Sequence, residues 1–221
     1  MSTLIRDRDL HLLPRDALVK TNELDQADWN FRPVLGWVQR LRLRCVASVL
    51  ASSPRAGRLL EVGYGSGVFV PELARHADAV FGADLHRNGA AVTATLASRG
   101  CPARLVTASA GALPYRDGAF DTVVTVSTLE FVPDVAAAVS ELVRVTSKGG
   151  WLVIVTPGQS RLLDLGLRIL TRERAEDTFE GRRSLVVPAV QRSARILEIR
   201  TLPVGVGRLL PLYRVLVATP T

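Results

Sequence analysis

The apolar positions of this chain change period along its length. Nearly continuous runs of Leu, Val, Ile and Ala recur as "RLLEV" (58–62), "AVFGAD" (79–84), "ARLVTAS" (103–109), "FDTVVTVS" (120–127) and "WLVIVTP" (151–157). Runs of this length, rich in β-branched residues, suit strands buried on both faces. Between them lie helical stretches: "VFVPELARHA" (68–77), "NGAAVTATLASRG" (88–100), closed by Gly100, and "PDVAAAVSELVRVT" (133–146). Gly149-Gly150 is predicted to turn the chain into the fifth strand, and Pro33 to open a helix reaching about Leu50. Residues 1–30 read as polar, irregular chain or short helix.

Strands that alternate with helices predict a parallel sheet covered on both faces. The last third breaks the alternation. A helix-like "RLLDLGLRIL" (161–170) and a charged "TRERAEDTFEGRR" (171–183) precede two strand candidates, 194–202 and 212–219, joined by a loop rich in Pro and Gly. That pattern predicts a terminal antiparallel hairpin on the parallel sheet. The 221 residues suit a single domain. Within it, 1–52 form a helical or lid segment, 55–157 a ligand-binding core, and 158–221 an insert with the terminal strands.

The first strand ends in "LLEVGYGSGVF" (59–69), where Gly63, Gly65 and Gly67 follow Glu61 at every second position. A tight turn needs one glycine. Three let a ligand approach main-chain N–H groups without a Cβ in the way, at the strand end where open parallel sheets bind ligands. The next helix N-terminus favours an anionic group. About 20 residues on, the second strand ends in Asp84, the spacing at which an acid accepts hydrogen bonds from ribose hydroxyls. Glycine turn plus acid points to a nucleoside-containing ligand. The spacing G-x-G-x-G differs from the G-x-G-x-x-G of dinucleotide folds.

Composition narrows the setting. The formal net charge of +7 rests on arginine, with only Lys20 and Lys148 as lysines. No aromatic-interleaved basic stripe accompanies it, which weighs against nucleic acid and favours a solvated arginine-rich surface, with an anionic membrane or an anionic small molecule as the other partners such a surface attracts. No apolar run approaches the roughly 20 residues of a membrane span, and "MSTLIRDRDLHLLPRD" lacks the apolar centre of a signal peptide, so a cytoplasmic protein is expected. Cys45, Cys101 and the scattered His11, His76 and His86 do not make a metal pattern.

Taken together, "LLEVGYGSG", "GADLH", "ALPYRDGAFDTVVTVSTLEFVPD" and "ELVRVTSKGGWLVIVTP" resemble, in order and spacing, the class I S-adenosylmethionine-dependent methyltransferases. The similarity spans about residues 55–157 and is greatest to the small-molecule, ubiquinone/menaquinone-type group. The resemblance implies a Rossmann-like, seven-stranded, mostly parallel sheet with a C-terminal antiparallel hairpin. It implies S-adenosylmethionine as cofactor and S-adenosylhomocysteine as product. Glu61 would then lie near the methionyl ammonium, and Gly63, Tyr64, Gly65 and Gly67 would wrap the methionyl part. Asp84 would hold the ribose hydroxyls, Leu85 would pack beside the adenine, and Ser127 with Thr128 would face the methionyl group. Ser109 stands where the family has an adenine-contacting aspartate, with Ala110 supplying a backbone position. Phe131 replaces a histidine common after Leu-Glu, and reads as a core or pocket-wall aromatic.

The cofactor of such an enzyme is already activated, so the protein chiefly aligns the reactants. Where a proton must leave, the candidate catalytic residues are Glu130, His86 and Tyr64, with Tyr115 behind them. The acceptor side is expected from "ELDQADWNFRP" (23–33) and 163–183. It offers Trp29 and Phe31 beside Asp25 and Asp28, Arg182 and Arg183, and Tyr213 from the last strand. The acceptor is expected to be a small molecule, a secondary metabolite or lipid-like compound, anionic or hydrophobic. A homodimer is compatible with the sequence. Ribose or ring-carbon methylation of RNA stays open, because only base-amine methylation would require a different sequence after the fourth strand. A nicotinamide-dependent oxidoreductase or a non-methylating cofactor binder on the same scaffold also stays open.

Overall fold

Each buried strand sends alternate side chains into two separate cores. In the computed structural model, which describes residues 4–21, 25, 27–158, 181–203 and 211–221, the strands are β1 (Ala56–Val62), β2 (Ala77–Asp84), β3 (Ala103–Thr107), β4 (Phe120–Val126), β5 (Thr146–Pro157), β6 (Arg195–Leu202) and β7 (Tyr213–Thr219). The described helices are α1 (Pro33–Ala51), α2 (Val70–Leu73), α3 (Gly89–Ser98), α4 (Val135–Val145) and α5 (Arg183–Ser193). Leu59, Val124, Val153 and Val215 face a core closed by α1 and α3, through Val46, Val49, Val92 and Leu96. Their chain neighbours Leu60, Val123, Leu152 and Leu216 face a second core closed by α4 and α5, through Val139, Leu142, Val186 and Val190. A period of two on a sheet covered on both sides therefore reads as an unbroken apolar run. Fully burying each such side chain stabilises the fold by roughly 1.5–3 kcal/mol.

The seven strands lie in the order β3-β2-β1-β4-β5-β7-β6. Pairings from β3 through β5 are parallel; β7 runs antiparallel to both β5 and β6. The chain goes outward from β1 to β3 and returns on the other side with β4. The order thus reverses between β1 and β4, and the carboxyl ends of these strands border the crevice where such sheets bind ligands.

Three elements differ from the sequence expectation. The helix predicted over 68–77 is a single turn, α2, because β2 already begins at Ala77, paired with Ala56. Arg55 fixes that boundary by donating to the carbonyls of Arg75 and Ala77 at 2.6 and 2.5 Å. Strand β5 starts at Thr146, which pairs with Phe120 before the register jumps to Thr122 with Trp151, so the two glycines lie in an irregularity inside the strand. Helix α5 was not foreseen: its Val-rich sequence has poor helix propensity and contains Pro188. The predicted helix 161–170 lies outside the described residues.

The described part of the N-terminal segment, irregular chain with short 3₁₀ turns, is docked on the domain. Arg40 holds the Asp7 carboxylate with Nε and Nη2, each at 2.8 Å. The His11 N–H donates to Glu72 at 2.8 Å, the Leu13 N–H donates to the Val68 carbonyl at 2.9 Å, and Asn88 donates to the carbonyls of Lys20 and Thr21. No helix among the described residues is long and apolar enough to cross a membrane.

Candidate active site

The glycine turn sits where β1 leaves the sheet, and its three glycines have different surroundings. Gly63, at φ 83°, leaves room for Thr128: a Cβ there would fall on the Thr128 side chain. Gly65, at φ 51°, has no atom within 4 Å of the place its Cβ would take, and its N–H donates to Asp84 Oδ2 at 2.9 Å. Gly67 seats the turn on α3, where an added Cβ would come within 3.0 Å of Val92. One glycine admits a neighbouring side chain, one opens onto free space, and one packs a helix. Alanine at 63 or 65 carries the left-handed backbone cost of roughly 1–2 kcal/mol, and only Gly63→Ala adds a collision. Thermal unfolding should therefore show Gly63→Ala as clearly the less stable variant; equal losses would contradict this assignment of the two positions.

Two carboxylates flank the turn. Asp84 accepts from the N–H groups of Gly65 and, at 3.3 Å, His86, which fixes its orientation and leaves lone pairs for a ligand. Glu61 is 4% exposed and its Oε2 has no hydrogen-bond partner among the described residues. Burial, with the Asp84 charge adding to it, pushes the Glu61 carboxyl up to about 8. A buried acceptor without a donor, beside open space, is where a cationic or hydrogen-bonding ligand group fits.

The other residues named from sequence fall into place around these. His86 is buried, with Nε2 2.9 Å from the Gly65 carbonyl and Nδ1 3.1 Å from the Asn88 N–H. This arrangement implies the Nε2–H tautomer and occupies both ring nitrogens in bracing the turn. Tyr64 is 3% exposed, packs edge-on against His86 with ring centroids 4.8 Å apart, and buries its hydroxyl against Gly89 at the start of α3. Tyr64 and His86, both candidate bases from sequence, are thus engaged in holding the loop. Leu85, beside Asp84, is 68% exposed. Ser109 turns its Oγ back to accept from the Gly111 N–H at 3.2 Å, while Ala110 is buried. The segment that follows is pinned from α4: Glu141 accepts from the Leu113 N–H at 2.8 Å, and Arg144 donates to the Tyr115 carbonyl at 2.7 Å.

A second polar cluster lies past the end of β4. Ser127 adopts φ 52°, an uncommon conformation for a residue with a side chain, and its Oγ accepts from Arg42 Nη1 at 2.7 Å. The Arg42 guanidinium stands 5.5 Å from the centroid of the buried Tyr213 ring. Glu130 is fully buried, and neither carboxylate oxygen has a hydrogen-bond partner among the described residues. Burial pushes its carboxyl up to about 7, against the opposing effects of its own backbone amide and the Arg42 and Arg183 charges. From α5, Arg183 donates to the Gly158 carbonyl at 3.4 Å, and the neighbouring Arg182 Nε donates to the Glu130 carbonyl at 3.0 Å.

The remaining sequence candidates have the following surroundings. Phe131, expected in the core or a pocket wall, is 40% exposed. Trp29 and Phe31 are half-buried on a 3₁₀ turn, Ala27–Phe31, whose described contacts run to α1 and to Arg32, stacked 5.3 Å from the Trp29 ring centroid. Asp25 closes that turn by accepting from Thr21 and Ala27. Most of the predicted acceptor-side insert, 163–183, lies outside the described residues. Arg42 was missed altogether. In "QRLRLRC", Arg40 and Arg44 hold the N-terminal segment, through Asp7 and the Ile5 carbonyl. A residue two positions along a helix lies about 200° away, so Arg42 leaves from the opposite side.

Comparison with known proteins agrees with this geometry. Residues 60–154 match the family described as "Methyltransferase domain". A demethylmenaquinone methyltransferase of Roseiflexus castenholzii is 34% identical over 124 residues, 53% of this chain and 50% of that enzyme, so the chain spans about half the length of this relative. A phosphatidylethanolamine N-methyltransferase of Cereibacter sphaeroides is 32% identical over 176 residues, covering 78% of this chain and 85% of that one. Among solved structures, a SAM-dependent methyltransferase from Aquifex aeolicus superposes with a TM-score of 0.63 at 15% identity, over 83% of this chain and 93% of that one, which bears on the fold alone. With the glycine turn, the acid at the end of β2 and the strand order all in agreement, the chain belongs to the class I S-adenosylmethionine-dependent methyltransferases.

Proposed function

We propose that the protein transfers the methyl group of S-adenosylmethionine to a small, lipid-like or secondary-metabolite acceptor held past the carboxyl ends of β4 and β5 and the amino end of β7. The observation that carries this reading is the Asp84–Gly65 latch beside Glu61, whose Oε2 has no hydrogen-bond partner among the described residues. The residues fit the cofactor: Glu61 and the glycine turn suit its methionyl end, Asp84 its ribose diol, and Leu85 with Ala110 its adenine side. Ser109, with its hydroxyl turned inward, leaves the adenine amine to backbone groups. When bound, the cofactor supplies a methyl carbon on a positively charged sulfur, which needs no further activation.

The work left to the chain is alignment, exclusion of water and management of one proton. Glu130 is the group we assign to that proton: both His86 ring nitrogens are engaged in the loop, and burial pushes the unpartnered Tyr64 hydroxyl up to about 12, while both Glu130 oxygens lack partners among the described residues. Demethylmenaquinone and phosphatidylethanolamine, in the names of the two relatives, support a lipid-like acceptor.

A proton count tests the cofactor assignment. Glu61 holds its proton up to about pH 8 in the free protein. An ammonium placed against it favours the carboxylate, so binding of S-adenosylhomocysteine at pH 7 should release a proton. Calorimetric titration in buffers of different ionisation heat should give enthalpies that vary with buffer, and Glu61→Gln should remove the variation. Buffer-independent heats in the wild-type protein would contradict the placement. The same shift acts on stability. The folded protein holds a proton that the unfolded chain, with Glu near 4.5, has lost, so the Glu61 contribution should make the unliganded protein less stable as pH rises from about 4.5 to 8.

A further inference from the structure

The acceptor end of the site contains a cation that no part of the cofactor assignment uses. Arg42 comes from α1, reaches across to Ser127 Oγ at 2.7 Å, and lies 5.5 Å from the Tyr213 ring centroid. Its Nε is buried without a hydrogen-bond partner among the described residues. Its charge acts on the fully buried Glu130, whose two oxygens have no hydrogen-bond partner among the described residues, as does the charge of Arg183 from α5. The groups come from the ends of β4 and β7 and from two helices on opposite faces of the sheet, so they meet only at this edge of the crevice. A guanidinium Nε without an acceptor and a nearby carboxyl without a donor match a ligand group that offers an acidic O–H and becomes an oxyanion. The Arg42 guanidinium, bonded to a neutral hydroxyl, disfavours an ammonium-bearing acceptor beside it.

Resting on the methyltransferase reading, we infer that Arg42, its guanidinium braced over the Tyr213 ring, is an acceptor-binding residue that holds the anionic oxygen of a weakly acidic acceptor, a phenol, enol or carboxylic acid. The Ser127 hydroxyl steers the guanidinium, and the positive φ at Ser127 puts that hydroxyl in reach. The acceptor class is therefore an oxygen acid rather than an amine.

The test uses the full chain, radiolabelled S-adenosylmethionine, and two sets of probes. The oxygen acids are a 1,4-naphthohydroquinone, a long-chain phenol and a fatty carboxylate; the amine probe is vesicles of phosphatidylethanolamine. Labelling of at least one oxygen acid and none of the amine is expected. With that acceptor, Arg42→Met should raise KM tenfold or more while S-adenosylhomocysteine affinity stays within twofold, and Arg42→Lys should restore part of the loss. Labelling of the amine alone, or of none of the probes by protein that binds S-adenosylhomocysteine, overturns the inference. So does an Arg42→Met variant whose acceptor KM is unchanged, or whose cofactor affinity falls as much as its acceptor affinity. Wild-type protein that fails to bind S-adenosylhomocysteine would overturn the methyltransferase reading itself, a result separable from all the others.

Discussion

Asp84→Ala should weaken S-adenosylhomocysteine binding by about 100-fold or more, because hydrogen bonds to a charged group contribute roughly 1.5–3 kcal/mol each and two ribose hydroxyls would lose their acceptor together. The effect has a second source within the protein. Asp84 also accepts from the Gly65 N–H, so its removal frees the turn that would cradle the methionyl end. Asp84→Asn separates the two contributions, since the amide oxygen still accepts from Gly65 while the charge is gone. An intermediate loss is expected for Asp84→Asn, measured by calorimetry on variants whose unfolding temperatures show them folded. Equal affinity in Asp84→Ala and wild type would remove Asp84 from the cofactor site.

Glu130→Gln should lower kcat by a factor of about 10² to 10⁴, the usual contribution of a positioned proton acceptor, once an acceptor that must lose a proton is in hand. The wild-type profile should rise with pH and level off above about 7, because only the ionised carboxylate accepts a proton and burial holds Glu130 protonated up to that region. The groups that set this midpoint are Arg42 on α1, Arg183 on α5 and the residue's own amide. Arg42→Met should therefore move the midpoint upward as well as raise the acceptor KM. A wild-type rate that is flat across pH 6–8, with Glu130→Gln retaining full kcat, would show that the proton leaves by another route or that the acceptor needs no base.

How much of this was legible in the sequence follows from how local each signal is. Strands β1 to β5 were readable because burial on both faces writes the same apolar run into each. The antiparallel pair was readable from its two separated runs and connecting Pro and Gly. Helix α5 was not, because Val186, Val187 and Pro188 contradict helix propensity and only packing of Val186 and Val190 under the sheet accounts for it. The glycine turn and Asp84 were found from spacing, but their individual jobs were not. Gly63 serves Thr128, a residue 65 positions away whose approach depends on the pairing of β1 with β4. His86 and Tyr64 looked free to act as bases because their hydrogen-bonding and packing partners, Gly65, Asn88 and Gly89, are fixed only by the folded loop. Arg42 was hidden for the same reason: nothing in an arginine-rich helix distinguishes the one that crosses to Ser127.

The measurement that bears most directly on the whole account is the thermal shift of the wild-type protein with S-adenosylhomocysteine, set beside the same experiment with NADH. At a ligand concentration about 100 times Kd, the stabilisation is about 2.7 kcal/mol, or roughly 5–10 °C for a domain of this size. The account predicts a rise of that order with S-adenosylhomocysteine, none with NADH, and for Asp84→Ala a rise of at most about 1–2 °C with S-adenosylhomocysteine. A rise with NADH alone, or no rise with S-adenosylhomocysteine at millimolar concentration, would contradict it.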